Sequence, residues 1–389
     1  MKVYQESWLL NRYALGLAKK LQKEGTLTTA QEEAAQKLHA DLPYSPNVFI
    51  KALLFIFGFI GFGFGGSFFT LLLIGDANWG LPIGALLYGG GTLFGLIHII
   101  RQRKLYFSGI DNALLYCILG SLGPVFMKVS EISNFKEPWQ FGLLYLPFLL
   151  MAVYSFGEPL VALSLFFDFL FIFASLLVKH PLGKAFLPFI LSGVSVALFF
   201  LMHRFSKRRI AFYWQTALEW TLPVTLLCAY LSVNYMVVRY ANASLNDLPM
   251  PAPEIQFAWL FWTLTFLVPL LQLWLGIRLR DRSIIVVALI SALYSIITYR
   301  HYHSLLPLEW GLLLGGLILA SLSYALLRYL KIPKLGFSVT PENSKNNLLQ
   351  TVVLSHLTKT TQSAASQEVK MGGGDFGGGG AGEQYSSRR

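Results

Sequence analysis

The chain has 389 residues, of which 54% are hydrophobic and only 13% charged. A soluble domain carries roughly 25% charged residues. Half that share leaves too little polar surface to cover a globule of this size, which excludes a soluble enzyme, a disordered chain and a disulfide-stapled secreted module. The formal net charge is +11, but the basic residues sit in short clusters between apolar runs, as in Arg101, Arg103, Lys104 and in Arg204, Lys207, Arg208, Arg209. That is the pattern of topology-setting charges and of contact with anionic headgroups, not of a folded nucleic-acid-binding domain.

The first 51 residues are polar and read as a small helical cap. One amphipathic helix is expected over Glu6 to Lys23, with Leu9, Leu10, Tyr13, Leu17 and Leu21 near helical spacing. Gly25 breaks the chain. Thr29 followed by Glu32 fits a capping box that opens a second helix running to His39.

Apolar runs then follow almost without pause from residue 52 to 328. A bilayer core about 30 Å thick needs about 20 helical residues to cross it. Ten spans are expected, at 52–74, 80–100, 107–127, 140–156, 159–178, 185–202, 214–238, 257–277, 283–299 and 305–328. The 140–178 region also reads as a re-entrant pair, which leaves eight to eleven spans open. Pro124, Pro147, Pro188, Pro223 and Pro269 fall inside runs, where neighbouring helices can satisfy the freed carbonyls. With the N-terminus inside, the inner loops carry ten Lys and Arg and the outer loops six. The positive-inside rule therefore gives N-in and C-in. The fold class is an all-α polytopic transmembrane bundle. Residues 329–389 form a polar tail ending in a glycine run, too poor in apolar residues to fold.

The short N-terminal helix, the segment Gly25-Thr-Leu-Thr-Thr-Ala-Gln-Glu-Glu-Ala and the glycine-rich apolar run after it resemble a group of bacterial polytopic membrane proteins of unknown function, some found beside GDYXXLXY-type proteins. The resemblance implies a bacterial inner-membrane location. It implies no activity and no site residues.

Asp168 stands out among the candidate site residues. It lies near the middle of its run, where an acidic group costs roughly 2.5–3.5 kcal/mol on insertion scales. It must be protonated, face water or hydrogen-bond to a polar group, with Gln272 the candidate partner. Glu219 and Glu309 share a Leu-Glu-Trp motif and are expected at interface depth. Gly61 and Gly65, Gly91 and Gly95, and Gly311 and Gly315 form GxxxG pairs. Such spacing lets membrane helices approach closely, within one chain or across a homodimer.

No catalytic motif is legible, and neither a cofactor nor a metal is expected. His301 and His303 sit two apart on a loop, too little for a metal site. Cys117 and Cys228 fall in apolar runs and read as small hydrophobes. Two functions are carried forward. The first is a non-catalytic scaffold or sensor subunit acting through the cap, the tail and a partner membrane protein or a second copy in the bilayer. The second is a small-solute permease with Asp168 in its path.

Overall fold

The computed structural model describes residues 2–23, 25, 27–73 and 79–303, with 313, 316, 317, 320, 321, 324 and 328. Among these, every regular element is a helix. The cap holds α1 (Glu6–Lys23) and α2 (Thr29–Leu38), and α1 has the expected bounds. The capping box at α2 sits one residue earlier than the sequence suggested. Thr28 is the N-cap and accepts from Gln31, whose side chain accepts from the Thr28 N–H in return. Glu32 lies one position past the reach that a capping box needs.

The bundle follows as α3 (Val48–Leu73), α4 (Gly80–Arg103), α5 (Ile110–Ile132), α6 (Pro138–Phe156), α7 (Pro159–Leu177) and α8 (Pro181–Ser206). After a short 3-10 helix (Arg209–Trp214) come α9 (Gln215–Leu231), α10 (Tyr235–Leu245), α11 (Ala258–Leu279) and α12 (Arg282–Tyr302). Eight of these helices are long and apolar enough to cross a membrane. Their outer faces are apolar too: Phe57, Phe64 and Phe94 are 67, 74 and 76% exposed. Water would not tolerate so many aromatic rings on one surface, and lipid does. The chain is a multi-pass integral membrane protein with an all-α fold.

Two expected spans have other bounds or another shape. The helix α3 begins at Val48, four residues ahead of the expected span at 52–74. The span at 214–238 is not one straight helix. The segments Arg209–Leu231 and Tyr235–Leu245 meet at a bend of 71°. The bend has a local cause: Asn234 accepts from Met236 and Val237 N–H and caps α10 as a new helix. With that bent pair counted as one span, the described residues hold up to nine; the expected span at 305–328 lies outside the described residues but for a few positions.

The 140–178 region is a pair of full helices rather than a re-entrant loop. α6 ends on Gly157 in the left-handed conformation (φ 60°), Glu158 caps α7, and Pro159 opens it. Glycine after a helix and proline at the first turn of the next are the residues that such a turn demands. At the far ends Lys179 pairs with Glu137 at 2.8 Å. The five internal prolines all sit within helices without ending them.

Two of the expected glycine pairs make no close helix contact within the chain. A Cβ on Gly61, Gly65, Gly91 or Gly95 would meet nothing within 4 Å. Gly91 and Gly95 instead line a cavity of about 320 Å³ beside Phe62 and Phe69 of α3. Close approach within the chain happens at other glycines. A Cβ on Gly142 would lie 2.6 Å from Ile172 Cγ1, and one on Gly276 would lie 2.8 Å from Ile285 Cγ1. Both are at hairpins, α6 with α7 and α11 with α12. Gly311 and Gly315 lie outside the described residues.

Candidate functional site

Successive helices alternate in direction, so the turns at 104–109, 157–158, 207–208 and 280–281 share one end of the bundle. The cap packs on that end. Lys104 pairs with Asp41, and Tyr44 and Leu105 form a parallel bridge. The deepest cap contact is made by the residues just before α1. Val3 N–H donates to Ser155 O at 3.0 Å, and Tyr4 N–H donates to the Tyr213 hydroxyl at 3.3 Å. Tyr213 in turn donates to Ser155 O.

The Tyr4 side chain enters the bundle. It is 4% exposed, and Tyr106, Phe107 and Phe156 surround its ring edge-to-face at 5.1, 5.7 and 6.3 Å. Its hydroxyl donates to Asp111 Oδ2 at 2.9 Å. Asp111 Oδ1 accepts from Ser108 N–H, Ser108 Oγ, Gly109 N–H and Asn112 N–H at 2.8–3.1 Å. The carboxylate thus caps the start of α5, where unpaired N–H groups and the helix dipole favour an acceptor. Burial, and then Asp111, hold the Tyr4 phenol well above its usual pKa. It stays a donor at every physiological pH.

A second buried carboxyl adjoins the first. Glu158 is 4% exposed. Its Oε2 accepts from Val161 N–H at 2.7 Å, and its Oε1 accepts from the Tyr116 hydroxyl at 2.6 Å and Asn112 Nδ2 at 3.1 Å. Asn112 therefore joins the two acids, through its backbone to Asp111 and through its side chain to Glu158. Burial pushes the Glu158 carboxyl above its ordinary range, and the donors from Tyr116, Val161 and Asn112 pull it partly back.

Asp168 lies apart from this network. Its Oδ2 is buried and has no hydrogen-bond partner, and its Oδ1 sits 3.2 Å from where a Gly142 Cβ would be. The carboxyl is wedged in the α6–α7 hairpin. Gln272 is not its partner: Gln272 Nε2 donates to Leu226 O at 2.8 Å, across α11 and α9. Glu219 is exposed on α9, where Gln215 Nε2 donates to it at 3.3 Å. Glu309 lies outside the described residues. Asp168, Gln272 and Glu219 are therefore not brought together. His301 Nε2 lies 3.1 Å from the Tyr240 hydroxyl, and the His303 ring packs 4.8 Å from Tyr299.

A third buried group was not read from sequence. At the helix bend, Asn234 Nδ2 donates to the Tyr230 hydroxyl and to Thr298 Oγ1 at 2.8 and 3.1 Å. Ser295 Oγ contacts the Tyr230 hydroxyl and donates to Thr265 O. Thr265 Oγ1 accepts from Tyr235 N–H. Nearer mid-helix, Ser195 Oγ, Gln272 Oε1 and Ser291 Oγ are buried and unpaired. Thr and Ser inside apolar runs were the available signal, but they carry no long-range information.

No protein-family model, no curated protein and no solved structure matches this chain. The reading of function therefore rests on the geometry alone.

Proposed function

We propose that this protein is a non-catalytic scaffold or sensor subunit of a bacterial inner membrane, in which the N-terminal cap and the bundle act as one unit. The observation that carries this reading is the insertion of Tyr4 into the bundle, with its hydroxyl on Asp111. A solvated cap would need no buried aromatic residue and no buried acid to receive it. A strain on the cap is passed through Tyr4 to the start of α5, and a shift of α5 is passed back. The helix α2 buries none of its residues, which leaves its surface for a partner membrane protein or a second copy. On this reading the cap end is cytoplasmic, in line with the basic loops that share it.

The test places a photo-crosslinking amino acid at exposed Glu33 in the full-length protein in cells. A discrete adduct that Tyr4→Phe weakens or redirects supports the reading. Adducts that are only with lipid, and that Tyr4→Phe leaves unchanged, refute it.

A second reading, a small-solute permease, is favoured by the 71° bend between α9 and α10 and by the three unpaired polar atoms at Ser195, Gln272 and Ser291. Discontinuous helices with polar cores mark binding sites in many transporters. Ser291→Cys and Asp168→Cys, each in a Cys117→Ser, Cys228→Ser background, separate the two. Labelling by a membrane-impermeant thiol reagent, in cells or in inverted vesicles, means a water path and the permease. Protection from both sides, with the protein inserted, leaves the first reading.

A further inference from the structure

Val3, Tyr4 and Tyr13 seat the cap on α5, on α6 and on the end of the 3-10 helix. On the neighbouring α4–α5 turn, Lys104 is paired with Asp41 of the cap. Beyond that seat, where α8 passes into the 3-10 helix and α11 into α12, the same end of the bundle is crowded with positive charge. Arg204, Lys207, Arg208 and Arg209 lie on the first of these turns. Arg278, Arg280 and Arg282 lie on the second. All seven are exposed, and among the described residues none makes an ion pair.

The two turns adjoin. Phe199 of α8, Leu226 of α9 and Ile284 and Val287 of α12 form one buried cluster, with Leu279 of α11 packed against it. The His203 ring stacks on Phe199 at 5.6 Å, and the charges of both Lys207 and Asp281 act on it. Asp281 is the acid of the two turns. It caps α12, where it accepts from Ser283 N–H at 2.8 Å. Seven cations therefore share one part of the surface with one acid. The positive-inside rule explains the sign of this charge but not its crowding.

Such a patch calls for an anion, and its position selects which. Arg278 lies over the Trp274 ring at 5.1 Å. Trp274 is exposed, and so are Leu270, Leu271 and Ile277 beside it on α11. The patch is thus continuous with the apolar surface that meets acyl chains, with a Trp at the border, where membrane interfaces place it. A soluble acidic partner would meet the cations and leave this border unused. We propose that the turns at 204–209 and 278–282 bind an anionic phospholipid headgroup of the cap-side leaflet, one that carries two phosphates. Clusters of basic residues next to membrane helices favour such headgroups. One phosphate occupies one or two guanidinium groups, and cations on two adjoining turns suit a pair of phosphates. The site stands on exposed charge and Trp274, and does not require the scaffold reading to hold.

The experiment uses the full-length protein in a neutral detergent, with bound lipid counted by native mass spectrometry. Diphosphatidylglycerol carries two phosphates, phosphatidylglycerol one, and phosphatidylcholine no net charge. Affinity should fall in that order. Arg278→Gln on one turn and Lys207→Gln on the other should each weaken diphosphatidylglycerol binding about fivefold, the share of one basic side chain at an anionic surface. Both should leave phosphatidylcholine binding unchanged. Lys19→Gln removes the same charge from an exposed position on α1 and should change nothing. Each variant is checked for a single gel-filtration peak, and one that fails is replaced by Arg280→Gln, with the same expected loss. The deacylated headgroup of diphosphatidylglycerol should not displace the lipid at equal concentration, and neither should polyglutamate. Equal affinity for diphosphatidylglycerol and phosphatidylglycerol, or an equal loss from Lys19→Gln, would overturn the proposal. So would full displacement by the deacylated headgroup or by polyglutamate, and the latter would assign the surface to an acidic protein.

Discussion

The hydroxyl of Tyr4 donates to Oδ2 of Asp111 at 2.9 Å, joining residues 107 positions apart. The bond fastens the chain ahead of the first helix to the cap of a transmembrane helix. Both side chains are almost fully buried, at 4 and 1% exposure. Removing one member of such a pair leaves the other unsatisfied, which costs more than the bond itself contributes.

Tyr4→Phe should therefore lower stability by about 1–3 kcal/mol. The ring stays and the packing with Tyr106, Phe107 and Phe156 is kept, so the loss reports on the hydrogen bond. Thermal melting of the detergent-solubilised protein measures it. Limited proteolysis should show the N-terminal segment cut first. An unchanged melting point and unchanged protection would refute the coupling.

The glycines give a ranked series. Gly109→Ala should be the most damaging. Gly109 has φ +101°, and a Cβ there runs into the Lys51 backbone carbonyl, which cannot move aside. Gly142→Ala should be damaging too, through Ile172 and Asp168. Gly61→Ala and Gly91→Ala meet open space and should be neutral or slightly stabilising, because alanine is the better helix former. Melting temperatures of the four variants check the order.

Glu158 should make stability pH-dependent. Its folded pKa is raised by burial, so the folded state holds the proton more tightly than the unfolded state does. Its contribution is full below the unfolded value near 4.5. It declines as pH rises from there through the folded value. Glu158→Gln should flatten this part of the profile and leave the rest unchanged. Melting temperature followed upward from pH 4 in both proteins measures the difference.

Asn234→Ala should straighten or loosen the bend. The substitution removes the cap of α10, typically worth about 1 kcal/mol. It also removes the donor to Tyr230 and Thr298. A combined loss of about 2 kcal/mol or more is expected, because buried hydroxyls lose a partner in an environment without water. A melting temperature as little changed as that of Gly61→Ala would show that the bend is held elsewhere.

The legible part of this protein was its periodicity and its boundaries. The bounds of α1 and the start of α7 are as expected, because amphipathic spacing, a glycine and a proline act over a few residues. The bend at Asn234 was not legible, since an Asn within an apolar run reads as one tolerated polar residue. Its cap bonds to Met236 and Val237 are local, but its bonds to Tyr230 and Thr298, which tie the bend to α9 and α12, depend on how the helices pack. The candidate site was misread for a similar reason. Asp168 drew notice by its depth, yet it is wedged alone in a hairpin. Asp111 and Glu158 sit at helix starts, where acids are ordinary, and were passed over.

Composition alone determined that this chain lives in a membrane, because the transfer of apolar surface from water is additive and needs no knowledge of neighbours. Local pattern determined where most helices begin and end, because capping and turn chemistry are decided within a turn or two. Tertiary structure decided which glycines let helices touch and which line cavities. It also decided which acids have donors and that Tyr4 reaches Asp111. Those outcomes depend on which faces meet, and in lipid, where apolar burial discriminates little between one helix face and another, facing is set by shape and by hydrogen bonds between distant residues.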